Sequence, residues 1–300
     1  MFEKRTDLAL EVHELHGKDS GITVWEEKIE DVAVTYADVS EGEGVRLSGK
    51  PSGRYITFSV GRFYKKGRAA IASVAEIIAN EMKRLFPKNC KNFLVVGLGN
   101  EAITPDSVGP SAVKKLLVTR HIEYMDKLLF EGAGFGGLCA VSPSVLGQTG
   151  IESMDIISGV VQKVNPECVI LIDSLASRRL SRLATTVQLS NTGISPGSGV
   201  ANHRAEISKE TLGVPVVSIG IPTVVDAATL AYDLLEEALG EEAEALSQAI
   251  DKVLSTEKRS MFVTPKESDV IAENAARLIA TAINMAVHGM TDSEINEFLS

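Results

Sequence analysis

A chain of 300 residues with 44% hydrophobic and 23% charged residues can bury a sizeable core and has the balance of an ordinary globular protein. Forty acidic against thirty basic residues give a formal charge of −10, which argues against direct binding of nucleic acid. No run approaches the ~18 apolar residues of a membrane span, and the opening MFEKRTDLALEVHELHG lacks the apolar stretch and small-residue cleavage site of a secretory signal. The expectation is a cytoplasmic protein with no membrane contact.

The first ninety residues read as α+β. VAVTYADV (32–39) and YITFSV (55–60) alternate as strands do, with a turn-rich SEGEGVRLSGKPSG between them. From Arg68 to Phe86 the pattern is helical, with Ile71, Val74, Ile77, Ile78 and Met82 on one face. NFLVVG (92–97) is a short apolar run closed by glycine, as a buried parallel strand would be. The loop GLGNEAITPDSVG leads to a predicted helix over 110–120 with Pro110 at its start. Residues 151–164 have helical spacing and stop before Pro166. CVILID (168–173) and VPVVSIG (214–220) are further buried strands, and a helix over 224–239 is expected to be capped by Thr223. Strands alternating with helices predict an α/β fold, a sheet of parallel strands with both faces covered. A helical tail starts at about 241, and Gly289 marks a helix stop.

Asp106 follows one predicted strand and Asp173 ends the apolar run of another. Reactions on an open parallel sheet gather at the carboxyl ends of its strands, so both acids are expected on one rim. Asp106 read alone is equally a helix cap or turn residue. An acid ending a hydrophobic strand, by contrast, needs a partner or a crevice. Two neighbouring carboxylates can share a proton, one acting as base toward water and the other as acid. GLGN lacks the third glycine of a dinucleotide fingerprint, and no P-loop, HExxH or GxSxG is present. The Gly- and Ser-rich stretch NTGISPGSGVANHR (191–204) could offer backbone donors at Gly197, Ser198 and Gly199 to an oxyanion, with His203 nearby. Cys90, Cys139 and Cys168 form no CxxC pair, so neither a zinc ribbon nor a disulfide framework is expected.

Taken together, RTDLALE (5–11), VVGLGN (95–100), TPDSVGP (104–110), SPSVLGQTGIE (142–152), LIDSLASR (171–178), NTGISPGSGV (191–200) and GIPTVVDA (220–227) resemble the germination protease family. These are spore endopeptidases that degrade small acid-soluble spore proteins. The resemblance implies that Asp106 and Asp173 are the catalytic pair, that the chain acts in the forespore or spore core, and that it assembles as a homotetramer. GLGNEAITPDSVG is also similar to the metal-sensing loop of hydrogenase maturation proteases, where an acid stands in the place of Asp106. That implies a three-layer sandwich around a mostly parallel sheet with extra strands and helices. It leaves a divalent metal open, with no cofactor assured.

Family substrates are cut after an acid and before a hydrophobic residue followed by alanine. Asp7-Leu8-Ala9 fits that rule, so the resemblance implies a zymogen with residues 1–7 as propeptide and 8–300 as a single peptidase domain. Two rivals stand beside this reading. One is a metal-dependent peptidase using the same two aspartates, the other an acidic scaffold protein that only binds the spore proteins.

Overall fold

The computed structural model describes residues 6–16, 21–195, 206–239 and 261–299. Its nine strands are β1 (Ile22–Ile29), β2 (Val32–Val39), β3 (Gly53–Ser59), β4 (Asn92–Gly97), β5 (Gly137–Val141), β6 (Cys168–Ser177), β7 (Thr186–Ser190), β8 (Val216–Asp226) and β9 (Phe262–Val263). They form one mixed sheet in the order β1-β2-β3-β7-β8-β6-β4-β5, with β9 pairing β8. The apolar runs predicted as buried strands, β4, β6 and β8, make its parallel part together with β5, which was not expected: β4 pairs β5 and β6, and β6 pairs β8, all parallel. β7, β3, β2 and β1 continue the sheet antiparallel.

Helices cover both faces of this α/β fold. On one face, the Arg68–Leu85 helix and the Ser268–His288 helix pack together over the even-numbered residues of β6 (Cys168, Ile170, Ile172) and over Phe93 and Val95 of β4. All five apolar residues expected on the inner face of Arg68–Leu85 are buried. Ser268–His288 is long and apolar enough to cross a membrane by length and composition, but most of it is buried in this core. Gly289 ends it in the left-handed conformation, as expected. On the other face the Ser153–Val164 helix covers Val169 and Leu171, and the Ala9–His16 helix covers Ala37, Val39 and Tyr55.

Several boundaries differ from expectation: β6 continues past Asp173 to Ser177, and the helical tail expected from about 241 starts outside the described residues. The helix predicted over 110–120 runs from Val108 to Val113, with Pro110 within its first turn, where no intrahelical N–H is required. β8 continues past Gly220 to Asp226. The following helix is therefore Ala227–Leu239, and Asp226 rather than Thr223 caps it, its Oδ1 accepting from Thr229 N at 2.8 Å.

Candidate active site

The loop carrying Asp106 is folded back by close backbone contacts. Gly99 has φ +115°, and a Cβ there would lie 2.1 Å from Asp106 O, so only glycine fits. Asp106 Oδ2 accepts the N–H of Asn100 at 2.8 Å, and its own N–H reaches Ile103 O at 2.8 Å. The turn is pinned to the sheet from below, because Thr223 Oγ1 on β8 donates to Pro105 O at 2.7 Å. The Thr104–Asp106 turn consequently packs on both β6 and β8.

Asp173 lies within β6, which runs four residues beyond it to Ser177. It is 8% exposed, and its Oδ1 accepts the N–H of Ser174 at 2.9 Å. It shares a sheet face with Leu171 and Val169, under the Ser153–Val164 helix. Leu98 N donates to Ile172 O at 2.9 Å. The crossing Leu98–Gly99 therefore touches the residue before Asp173 on one side and Asp106 on the other. Asp173 stands level with the end of β4, and the Asp106 turn packs beside β8 and against the Ser268–His288 helix.

The structure also brings a third predicted element to this neighbourhood. Asp7 binds the edge of β6 beyond Asp173, with its N–H donating to Ala176 O at 2.9 Å and its Oδ2 accepting from Ala176 N at 2.8 Å. Leu8 and Ala9 are 0% exposed. Gln188 of β7 spans the Asp7–Leu8 bond: its Nε2 donates to Asp7 O at 3.2 Å and its Oε1 accepts from Ala9 N at 2.9 Å. Register explains the proximity. Gln188 is paired with Gly220 of β8, and Gly220 with Asp173 of β6. The three form one cross-strand row on one face, with Cα atoms of the outer two roughly 10 Å apart at two strand spacings. A Cβ on Gly220 would meet Asp173 O and Leu175 Cγ, both at 2.7 Å.

Around this segment lies a charged cluster that sequence reasoning did not find. Glu11 is fully buried and accepts from Arg178 N at 2.7 Å and Arg179 N at 3.0 Å, and from the Thr6 hydroxyl. Arg182 lies 3.3 Å from Glu11 and also bonds Glu14. Lys50 Nζ donates to Thr6 O at 3.1 Å; burial pushes this ammonium below the ordinary lysine range, against the pull of Asp7 and Glu11. Gln188 and Lys50 each sit far in sequence from the segment they hold, so no local motif marks them.

Gly197, Ser198, Gly199 and His203 lie outside the described residues. The ends of their loop are joined by an antiparallel bridge between Ile194 and Ile207. Among the described residues no three His, Cys, Asp or Glu side chains are grouped as metal ligands would be.

The fold is α/β, with Asp173 set level with the end of β4 and the Asp106 turn packed on β6 and β8. A family profile described as germination protease matches residues 3–244. A germination protease of Caldanaerobacter subterraneus subsp. tengcongensis is 43% identical, over 98% of each chain, and one of Clostridium perfringens (strain ATCC 13124) is 40% identical over 100% of each. The chain belongs to the germination protease family and is a peptidase. Among solved structures, a [NiFe] hydrogenase maturation protease HycI from Thermococcus kodakarensis is similar at 16% identity and a TM-score of 0.37, over 69% of this chain and 98% of that one.

Proposed function

We propose that this chain is a self-processing endopeptidase that cleaves small acid-soluble spore proteins in the spore core after an acidic residue and before a hydrophobic one. Residues 1–7 are its propeptide, and the bond it cuts in itself is Asp7–Leu8. The observation carrying this reading is the row Gln188–Gly220–Asp173. The residue at one end of that row holds the carbonyl of a bond matching the substrate rule, and an acid of the candidate pair stands at the other.

Asp106 and Asp173 hold a water between them. One carboxylate takes its proton as it attacks the peptide carbonyl carbon, and the other returns a proton to the departing amine. The active unit is a homotetramer.

The test is mass spectrometry of the purified chain during incubation at mildly acidic pH, followed by turnover of a peptide containing an acidic-hydrophobic-alanine site. Loss of residues 1–7 and peptide cleavage are expected in the wild type. Both should be absent in Asp106→Asn and Asp173→Asn chains that unfold at near wild-type denaturant concentration. Activity abolished by a chelator and restored by a divalent metal would favour the metal-dependent alternative. Binding of the spore proteins without turnover would leave only a scaffold. Sedimentation equilibrium reports the assembly.

A further inference from the structure

We infer that Gln188 is a catalytic residue, its Nε2–H being the donor that holds the oxyanion formed at the scissile carbonyl. The inference rests on processing at Asp7–Leu8 as proposed above. Ala9 N–H can only donate, so it fixes Oε1 of the Gln188 amide on its own side, at 2.9 Å. Nε2 is thereby turned to Asp7 O, which can only accept, at 3.2 Å. One side chain thus grips the carbonyl before the bond and the N–H one residue beyond Leu8.

The donor is preorganised. Gln188 is 8% exposed, and its strand is bonded on both sides, pairing with Thr57 of β3 and Gly220 of β8. A buried, fixed donor aimed where negative charge develops is worth far more than one in water. Gly220 puts no side chain of its own between Gln188 and Asp173 in the row, and the Leu175 side chain packs over it.

In the step itself, water oxygen bonds to the Asp7 carbonyl carbon and loses a proton to a carboxylate. The carbonyl π pair moves onto oxygen, where Gln188 Nε2–H holds it. The pair then re-forms C=O, the C–N bond breaks, and the Leu8 nitrogen receives the proton. The products are an Asp7 carboxylate and a Leu8 ammonium. Departure of residues 1–7 then leaves Nε2 to meet the carbonyl of an incoming substrate.

Gln188→Glu keeps an acceptor for Ala9 N while removing the donor, and Gln188→Met keeps the volume and removes both. Full-length wild type and both variants are followed by mass spectrometry for loss of residues 1–7, with urea unfolding as the check on folding. Forms released from a fusion so that they begin at Leu8 are then assayed on the peptide. Self-cleavage in both variants is expected to fall on the order of a hundredfold or more. In the Leu8 forms, kcat is expected to fall by a similar factor with little change in KM. Self-cleavage unchanged or faster in Gln188→Met would overturn the inference, because a residue that merely clamps the segment would release it. So would a defect confined to KM. Should Gln188→Met not fold, Gln188→Glu carries the same comparison. If the wild type cleaves peptide but keeps residues 1–7, the processing reading fails, and the kcat comparison alone decides the role of Gln188.

Discussion

Glu11→Ala should destabilise the fold heavily, although Glu11 is no part of the candidate catalytic rim. Its carboxylate is fully buried and accepts two backbone N–H groups, Arg178 at 2.7 Å and Arg179 at 3.0 Å, besides the Thr6 hydroxyl and the nearby Arg182. A hydrogen bond to a charged acceptor contributes about 1.5–3 kcal/mol, and the truncation strands both donors. Removing one partner of a buried charge pair costs a similar ~3–5 kcal/mol, and because these contacts share one group the costs overlap rather than add. The expected loss is roughly 4 kcal/mol. With an unfolding entropy of about 2.1 cal/mol/K per residue over this chain length, that lowers Tm by about 6 °C. Glu11→Gln keeps one acceptor oxygen and should lose roughly half as much. The assay is urea denaturation followed by circular dichroism and by Trp25 fluorescence, with coincident transitions required before a free energy is assigned. A loss below about 1 kcal/mol for Glu11→Ala, with an unchanged m value, would refute the claim that this carboxylate ties the amino-terminal helix to the end of β6.

Gly99→Ala would force a Cβ against Asp106 O at a φ of +115°, so it should reduce peptide turnover by tenfold or more while costing about 1–3 kcal/mol of stability, read from turnover and urea midpoints together. Gly220→Ala puts a methyl against the Asp173 backbone and Leu175, and should impair both self-cleavage and stability, with the wild-type rate excluding the close packing described. His288 is buried, its Nε2 lies 3.0 Å from Leu117 O and its Nδ1 has no partner; burial pushes it down to about 4 from an ordinary 6.5. Its folded pKa is depressed, so the neutral ring's contribution is fully present above pH 6.5 and is lost as pH falls toward 4, about 3 kcal/mol in all. His288→Gln should flatten the stability profile by about one proton across that window, and an unchanged slope would contradict the assignment. Asp226→Ala removes the cap of Ala227–Leu239 and should cost about 1 kcal/mol in the same urea assay.

The parallel heart of the sheet was legible because buried strands read as unbroken apolar runs, and NFLVVG and CVILID fall on β4 and β6. What misled was punctuation. The strand expected to end at Gly220 runs on through Pro222, which lies in β8 opposite Leu175 at a register shift, its carbonyl accepting Ala184 N at 2.8 Å. β1 was missed because ITVWEEKI places charged residues together on an edge strand, where exposure tolerates them. β5 and β7 are five residues each and carry too little period to stand out. Chain order does place Asp106 after β4, whereas Asp173, expected to end its strand, is followed by four more residues of β6. The clasp on residues 6–9 was not legible, because its partners are Ala176 and Gln188, and nothing local links them to RTDLALE.

A signal for that clasp was nevertheless present, spread over three segments. Each of the strands that meet at the site carries, among other polar residues, one member of the row: Gln188 in TVQLS, Gly220 in VVSIGIPTVVD and Asp173 in CVILIDSLAS. Separately these look like local irregularities. In register they are a single row, and in the adjacent row Ser190 and Ser218 are hydrogen-bonded at 2.6 Å beside Leu171. Because side chains alternate faces, a slip of one residue in either pairing would send Gln188 and Asp173 to opposite sides of the sheet. Ile172, Val187, Leu189, Ile219 and Ile221, which flank the row, resist that slip, since they would have to leave the core beneath the Arg68–Leu85 and Ser268–His288 helices. Packing of β6, β7 and β8 therefore sets the alignment of polar groups on which the proposed chemistry depends.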